Sequence, residues 1–307
     1  MKDALSGSNY VHDEIGTNQC FDWGWIEDNR DATDAAIKGA HHVTTLELVN
    51  NRLVPNAMEP RCSMAQYNRA NDEYILHTTS QNPHLTRLLI SAFVLGIPEN
   101  KLTVIAPDVG GGFGSKIYHY GEEALVLAAA KKLNRPVKWT ADRSEAFLTD
   151  AHGRDHVTKI ELAMDAEGNF LAFRTETLAN VGAYLSNFST ATPTFLHGTL
   201  MAGNYTVPNV YVNVKTVFTN TAPVDAYRGA GRPEATYSLE RVIDMAAREI
   251  GMDPVELRRK NFIKPDQYPF ASAAGLEYDS GNYDALMDKM EVVADKKGFE
   301  ARRAESE

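Results

Sequence analysis

Apolar and polar positions along this chain fall into short blocks with different periods. Thr44–Val49 alternates as a strand does, and Tyr74–Thr79 repeats the pattern. Pro83–Gly96 changes to helical spacing, with Leu85, Leu88, Leu89, Ala92 and Phe93 on one side, proline at its start and glycine at its end. Leu102–Ala106 is a short apolar strand, and Glu122–Leu133 is a strongly apolar helix ending near Asn134. Val137–Ala141 predicts a further strand. His156–Met164 and Phe170–Val181 flank a turn at Asp165–Asn169 and predict a hairpin. Asn209–Phe218 is another strand. Pro233–Ile250 reads as an amphipathic helix, and Asp253–Asn261 as a second, with the aspartate as its N-cap. Beyond Pro265 the chain reads as loop, then as a charged, helix-prone stretch over Asn282–Glu307. Strands and helices mix without regular βαβ alternation, which favours an α+β fold with mixed sheets and packed helices over a doubly wound sheet. The first forty residues carry little apolar periodicity; Phe21, Trp23, Trp25 and Ile26 are their one apolar group.

Composition narrows the function. The chain has 307 residues, 43% hydrophobic and 23% charged, a globular balance with room for about two domains. The longest mainly apolar stretch, Leu88–Ile97, is about half of the roughly 20 residues that a membrane-spanning helix needs. The net charge of −10, without a Lys/Arg cluster, argues against nucleic acid as a partner. The densest basic group, Arg258–Lys260, reads as a solvated helix face. Two cysteines, Cys20 and Cys62, cannot build an iron–sulfur cluster or a disulfide framework, so a reducing, cytoplasmic setting is expected.

Three stretches could carry chemistry. Asp108–Lys116 holds four glycines in five positions, Gly110, Gly111, Gly112 and Gly114, after a strand; its amides could cradle an anion. Its Gly-Ser-Lys order is not that of a P-loop, and Ser115 does not supply the third glycine of a dinucleotide fingerprint. A tight turn with close packing is the structural alternative. In Thr79–Pro83, Gln81 sits between a strand and a helix, either as an amide donor to a bound oxygen atom or as a solvated residue of a helix cap. Ala226–Pro233 places Arg228, Gly229 and Arg232 before a helix. It suits an anionic ligand, or else a turn whose arginines pair with carboxylates. The histidines, including His152, His156, His41 and His42, fit no metal motif, and Asp150 and Asp155 form no acid–base pair.

Taken in register, these stretches resemble the molybdopterin-binding large subunit of the xanthine dehydrogenase/aldehyde oxidase/carbon monoxide dehydrogenase family. The likeness runs from about residue 42 to 264. It is carried by Asn56–Arg61, Ser80–Pro83, Gly110–Lys116, Ala226–Arg232 and Asp253–Asn261. It implies the first molybdenum-cofactor domain over residues 42–265, a remnant of a preceding hammerhead-like domain or linker over 1–41, and a linker and helical tail toward a second domain over 266–307. It implies that Gln81 hydrogen-bonds an oxygen ligand of molybdenum. Gly111, Gly112, Phe113 and Gly114 would pack beside the metal and the substrate, and Arg228 and Gly229 would line the pterin side. The implied reaction oxidises a small molecule with water-derived oxygen. The implied cofactor is molybdopterin, plain or as a cytosine dinucleotide, with iron–sulfur clusters and FAD on partner subunits.

The chain also departs from the family. Gly229 stands where carbon monoxide-oxidising members carry a copper-binding cysteine, so a molybdenum–copper site is not expected. Ile117 stands where xanthine-oxidising members carry a glutamate, which leaves an aldehyde or N-heterocycle as substrate. The family's base glutamate lies in a Gly-Glu segment beyond residue 307. The expectation is therefore a large-subunit half completed by a chain carrying the C-terminal half, or else an inactive cofactor-binding or assembly fragment.

Overall fold

A computed structural model describes residues 1–306; Glu307, the end of the helix-prone stretch, lies outside the described residues. In chain order the elements are α1 (Lys2–Ser6), β1 (Gln19–Trp25), α2 (Arg30–Gly39), β2 (His42–Asn50), β3 (Cys62–Asn68), β4 (Glu73–Thr78) and α3 (Pro83–Leu89). There follow β5 (Leu102–Ile105), α4 (Gly121–Leu133), β6 (Val137–Thr140), α5 (Arg143–Thr149), β7 (His156–Met164), β8 (Phe170–Gly182), α6 (Phe195–Gly198) and β9 (Asn209–Phe218). The last are α7 (Arg232–Glu249), α8 (Pro254–Asn261), β10 (Phe270–Ala271), β11 (Glu277–Tyr278), α9 (Tyr283–Val293) and α10 (Phe299–Ser306). The strand and helix blocks predicted from residue 44 to 261 are all present, with ends moved by a few residues. The predicted helix over Pro83–Gly96 is divided: its second half, Ile90–Leu95, widens into a π-turn.

Two mixed sheets form the frame, as an α+β chain requires. The larger has the order β1-β9-β8-β7-β2, with β8 and β9 parallel and the other neighbours antiparallel. The smaller has the order β5-β4-β3-β6, with β4 and β5 parallel. Helix α7 closes the larger sheet because Ala235, Leu239, Val242, Ile243 and Ala246 fall on one stripe of its surface. They meet Ile160, Leu162, Phe173, Val210 and Val212, all fully buried, at roughly 1.5–3 kcal/mol for each large side chain. Helix α4 closes the smaller sheet through Val126, Leu127 and Ala130 against Ala65 and Leu76. A third, small cluster of Tyr118, Ala151 and Ala226 ties the two halves together.

The structure differs from the sequence reading at both ends. The first forty residues do not stand apart: β1 pairs along β9 as the edge of the larger sheet. Trp23 and Trp25 stack with ring centroids 5.3 Å apart and pack on its core. The stretch after residue 265 ends in the expected helices, α9 and α10, but its start is tied to the fold. Ala274 is fully buried, Trp25 Nε1 donates to its carbonyl at 3.0 Å, and Tyr278 Oη donates to Gly203 O at 2.6 Å. Arg258 and Arg259 are not a solvated face. Arg258 pairs with Glu240 and Asp244 on α7, and Arg259 pairs with Asp288 and Glu291 on α9. No helix among the described residues is long and apolar enough to cross a membrane.

Candidate functional site

The glycine-rich turn leaves the end of β5 and folds back over the end of β4, where Gln81 stands. Gln81 N donates to Lys116 O at 2.8 Å, and Gly114 N donates to Gln81 Oε1 at 3.0 Å. Only the amide oxygen can accept that bond, so the side chain's orientation is set and Nε2 is left to donate. The turn packs on it tightly: a Cβ at Gly112 would lie 2.2 Å from Gln81 Oε1. Phe113 takes φ +52, a conformation that costs a non-glycine residue about 1–3 kcal/mol and needs support from its surroundings. Support comes from the arginine loop, where Arg228 N donates to Phe113 O at 2.9 Å.

The arginine loop approaches from the larger half, just before α7. Tyr118 Oη donates to Ala226 O at 2.6 Å. Arg228 and Arg232 have no carboxylate partner among the described residues, so the reading in which these arginines sit in ion pairs fails. The two loops and Gln81 enclose one recess of about 410 Å³, lined by Gln81, Phe113, Gly114, Ile117 and Ala226–Ala230. Gly111 and Gly112 lie behind this lining, in the turn itself. Two larger hollows of about 640 and 630 Å³ lie elsewhere. The first is lined by surface charges of both signs, the second by the N-terminal segment, and neither touches a motif residue, so the smaller recess is the candidate site.

Buried charges brace the turn from behind. Lys116 points away from the recess: its Nζ donates to Glu59 O at 2.7 Å and to Glu59 Oε2 at 3.0 Å. Glu59 Oε2 also accepts from Gly110 N at 2.7 Å. Burial alone would raise the Glu59 pKa; the Gly110 N–H and the Lys116 ammonium outweigh it and hold the carboxyl below its usual range. A lysine fixed this way cannot serve as a P-loop lysine. Arg61 lies 3.7 Å from the Tyr120 ring centroid, with its guanidinium shared between Asp150 at 2.5 Å and Glu122 at 3.0 Å. Breaking such a buried arrangement from one side costs about 3–5 kcal/mol. Tyr120 Oη donates to Ser115 O at 2.6 Å, which carries the bracing to the turn.

Sequence reasoning missed His197, Arg154 and Asp225, while Asp150, Asp155 and His156 stand outside the recess as expected. Asp150 and Asp155 are structural acids, one bound to Arg61 and the other to Arg52 at 2.8 Å. His156 and His197 are buried together with ring centroids 5.7 Å apart. Burial drives both pKa values down to about 4, so both are neutral near pH 7. Arg154 reaches two carbonyls of the arginine loop. The one local signal for it is the adjacent Gly153, where a Cβ would lie 2.3 Å from Tyr227 Cβ. Asp225, behind the loop, accepts from Phe188 N and Ala226 N rather than facing the recess.

The recess therefore has neutral and cationic donors and no acid. The described residues hold no group of three His, Cys, Asp or Glu side chains able to bind a metal ion. Any metal here would have to arrive held by another ligand, beside the Gln81 amide and Arg228. A family model for the molybdopterin cofactor-binding domain matches residues 11–262. The chain belongs to this family. It is 36% identical to the carbon monoxide dehydrogenase large chain of Hydrogenophaga pseudoflava, over 94% of this chain and 36% of that one. It is 32% identical to the nicotine 6-hydroxylase large subunit of Paenarthrobacter nicotinovorans, over 89% of this chain and 33% of that one. The crystal structure of quinoline 2-oxidoreductase from Pseudomonas putida 86 superposes with a TM-score of 0.94 at 32% identity, over all of this chain and 38% of that one. The chain thus spans about a third of the length of these relatives.

Proposed function

We propose that this chain supplies the molybdenum-cofactor face of a molybdenum hydroxylase that oxidises an aldehyde or N-heterocycle. The observation that carries this reading is the meeting of three separated motifs, around Gln81, Phe113 and Arg228, in one acid-free recess. The site fits the cofactor. Side chains at 112 and 114 would push against Gln81 and the Ala226 backbone and displace the walls of the recess, Gln81 Nε2 is left to donate, and the unpaired Arg228 suits a phosphorylated pterin. When bound, the cofactor supplies two-electron oxidation with oxygen drawn from water. Gln81 then orients an oxygen atom by its amide hydrogens, Gly111–Gly114 set the depth of approach, and Arg228 and Gly229 hold the pterin side. The cofactor is molybdopterin, plain or as a cytosine dinucleotide. Electrons leave to an iron–sulfur subunit and a FAD subunit, in a reducing, cytoplasmic setting that keeps Cys20 and Cys62 as free thiols.

Two positions narrow the substrate. A Cβ at Gly229 would lie 2.6 Å from Pro233 Cγ, with φ at +98, so this loop has no room for the cysteine of a molybdenum–copper site. Ile117 puts an aliphatic side chain in the recess where a purine-oxidising member would need a carboxylate. The names of the nicotine and quinoline enzymes support a heterocycle.

The recess also has no acid or base of its own to take a proton from water. That favours, as the second reading, a cofactor-holding or assembly unit without turnover. Under the first reading a chain carrying the C-terminal half brings the base. The complex assembled with it is expected to lose about 10²-fold in kcat on Gln81→Ala, with its molybdenum content kept. Steady-state kinetics and metal analysis of the variant complex check this, and unchanged turnover would remove Gln81 from the chemistry.

A further inference from the structure

Arg154 enters from a segment to which no chemistry attaches, the connection between α5 and β7. Arg154 and Asp155 both take φ +64, which turns the chain so that Arg154 points inward; its side chain is only 7% exposed. The connection runs beside the arginine loop. His152 N donates to Pro223 O and Asp225 N to His152 O, both at 2.8 Å. At its end the Arg154 guanidinium makes three kinds of contact. It donates to Tyr227 O at 3.2 Å, to Arg228 O at 2.7 Å, and to Glu234 Oε1 at 3.0 Å. It also lies 4.9 Å from the centroid of the Tyr227 ring. Glu234 is 2% exposed, so the two charges cancel inside the protein and add little field at the recess.

We infer that Arg154 is the positioning residue of the arginine loop, fixing Arg228 toward the bound cofactor. The inference rests on the reading of the recess as the molybdopterin site. The Arg228 backbone is held from both sides, its N–H by Phe113 O and its carbonyl by Arg154, so the Arg228 side chain is the part left free to meet a ligand. The Tyr227 carbonyl is shared between Arg154 and Ala230 N, the latter at 2.7 Å, so the same guanidinium fixes the turn that carries Gly229. Only a planar fork with several donors can reach two carbonyls and a carboxylate at once. A lysine could neutralise Glu234 but not bridge the loop.

The test uses the full chain with whatever subunits co-purify, and compares wild type, Arg154→Lys, and the double variant Arg154→Leu/Glu234→Leu. The double variant removes the buried pair together, which leaves neither charge alone. Two quantities are read: hydrogen exchange of the Arg228 and Ala230 amides, and pterin per chain by fluorescence after oxidation. The expected result is exchange at least about tenfold faster at those two amides in Arg154→Lys, with protection in α7 unchanged and pterin retention reduced. The double variant is expected to loosen the same amides. Wild-type protection of both amides in a folded Arg154→Lys overturns the assignment. A wild-type chain with no pterin contradicts the cofactor reading instead, while the exchange comparison still decides whether Arg154 fixes the loop.

Discussion

Gly114→Ala is expected to lower stability by about 3 kcal/mol and to strip the recess of its ligand. Two costs add. The residue holds φ +108, where an alanine is strained by roughly 1–3 kcal/mol. The new Cβ would also lie 2.2 Å from Ala226 O and 3.1 Å from Tyr227 Cα, an overpacking cost of similar size. These are backbone atoms, so no side-chain rotation relieves the contact. They cannot retreat, because Tyr118 holds Ala226 O, Phe113 holds Arg228 N, and Arg154 holds the next two carbonyls. A domain of this size is expected to melt several degrees lower, at about 2–4 °C per kcal/mol. Gly96→Ala is the control: φ is +62 there but nothing lies within 4 Å, so only the backbone cost applies. Thermal unfolding of both variants, with pterin measured in each, checks the account. Equal melting temperatures for the two would show that the loops do not pack as described.

Stability is expected to fall from pH 6.5 toward pH 5, above the range where ordinary carboxylates titrate. His156 and His197 are buried without charge, and their pKa values drop from 6.5 in the unfolded chain to about 4 in the fold. The sign follows from proton counting. Above pH 6.5 neither state binds the proton, and the histidines contribute nothing to the pH dependence. Below it the unfolded chain takes up protons that the folded chain refuses, so acid favours unfolding until the folded pKa is reached. At pH 5 the loss is about 2 kcal/mol for each histidine. Glu59 and Glu122 have lowered pKa values, and their stabilisation is lost only at lower pH still. Between pH 7 and pH 5 the histidines dominate: His152, held below its usual value by burial, adds to the pair, while Asp225, raised by burial, acts in the opposite sense. Urea midpoints across that interval should decline, and replacing His156 and His197 by leucine should make the decline clearly shallower, leaving the smaller part due to His152. A flat wild-type curve would mean that the pair is accessible to protons. Because Gly231 packs against Leu196 and His197, the same acid range should loosen the arginine loop from beneath.

Much of the frame is legible in the sequence because its elements bury one clear face. The strand Asn209–Phe218 and the helix beginning at Pro233 differ from their predicted ends by at most one residue, since period and caps agree there. The glycine turn, Gln81 and Arg228 were legible as motifs, and the structure brings them around one recess. What was not legible depends on contacts remote in sequence. In β1, Phe21, Trp23 and Trp25 do recur every second residue, but among polar neighbours the pattern is too short to outweigh composition. Its strand character comes from pairing with β9, some 190 residues away. Arg154 sits among the residues of an ordinary-looking connection, and its role exists only because Tyr227 and Arg228 fold against it. Lys116 closes the glycine motif, and nothing local shows that Glu59 turns it inward. Ion pairs of this kind, one partly and one fully buried, join residues 57 to 89 positions apart, as Lys116–Glu59 and Arg61–Asp150 show, and no local period announces them.

The central claim is that the recess holds a molybdenum cofactor. Its most direct test is the molybdenum and pterin content of the tagged chain purified from its own host, with co-purifying chains identified. The account predicts close to one molybdenum and one pterin per chain, together with an iron–sulfur subunit, a FAD subunit and a chain bearing the Gly-Glu segment. A folded chain free of both molybdenum and pterin would contradict it.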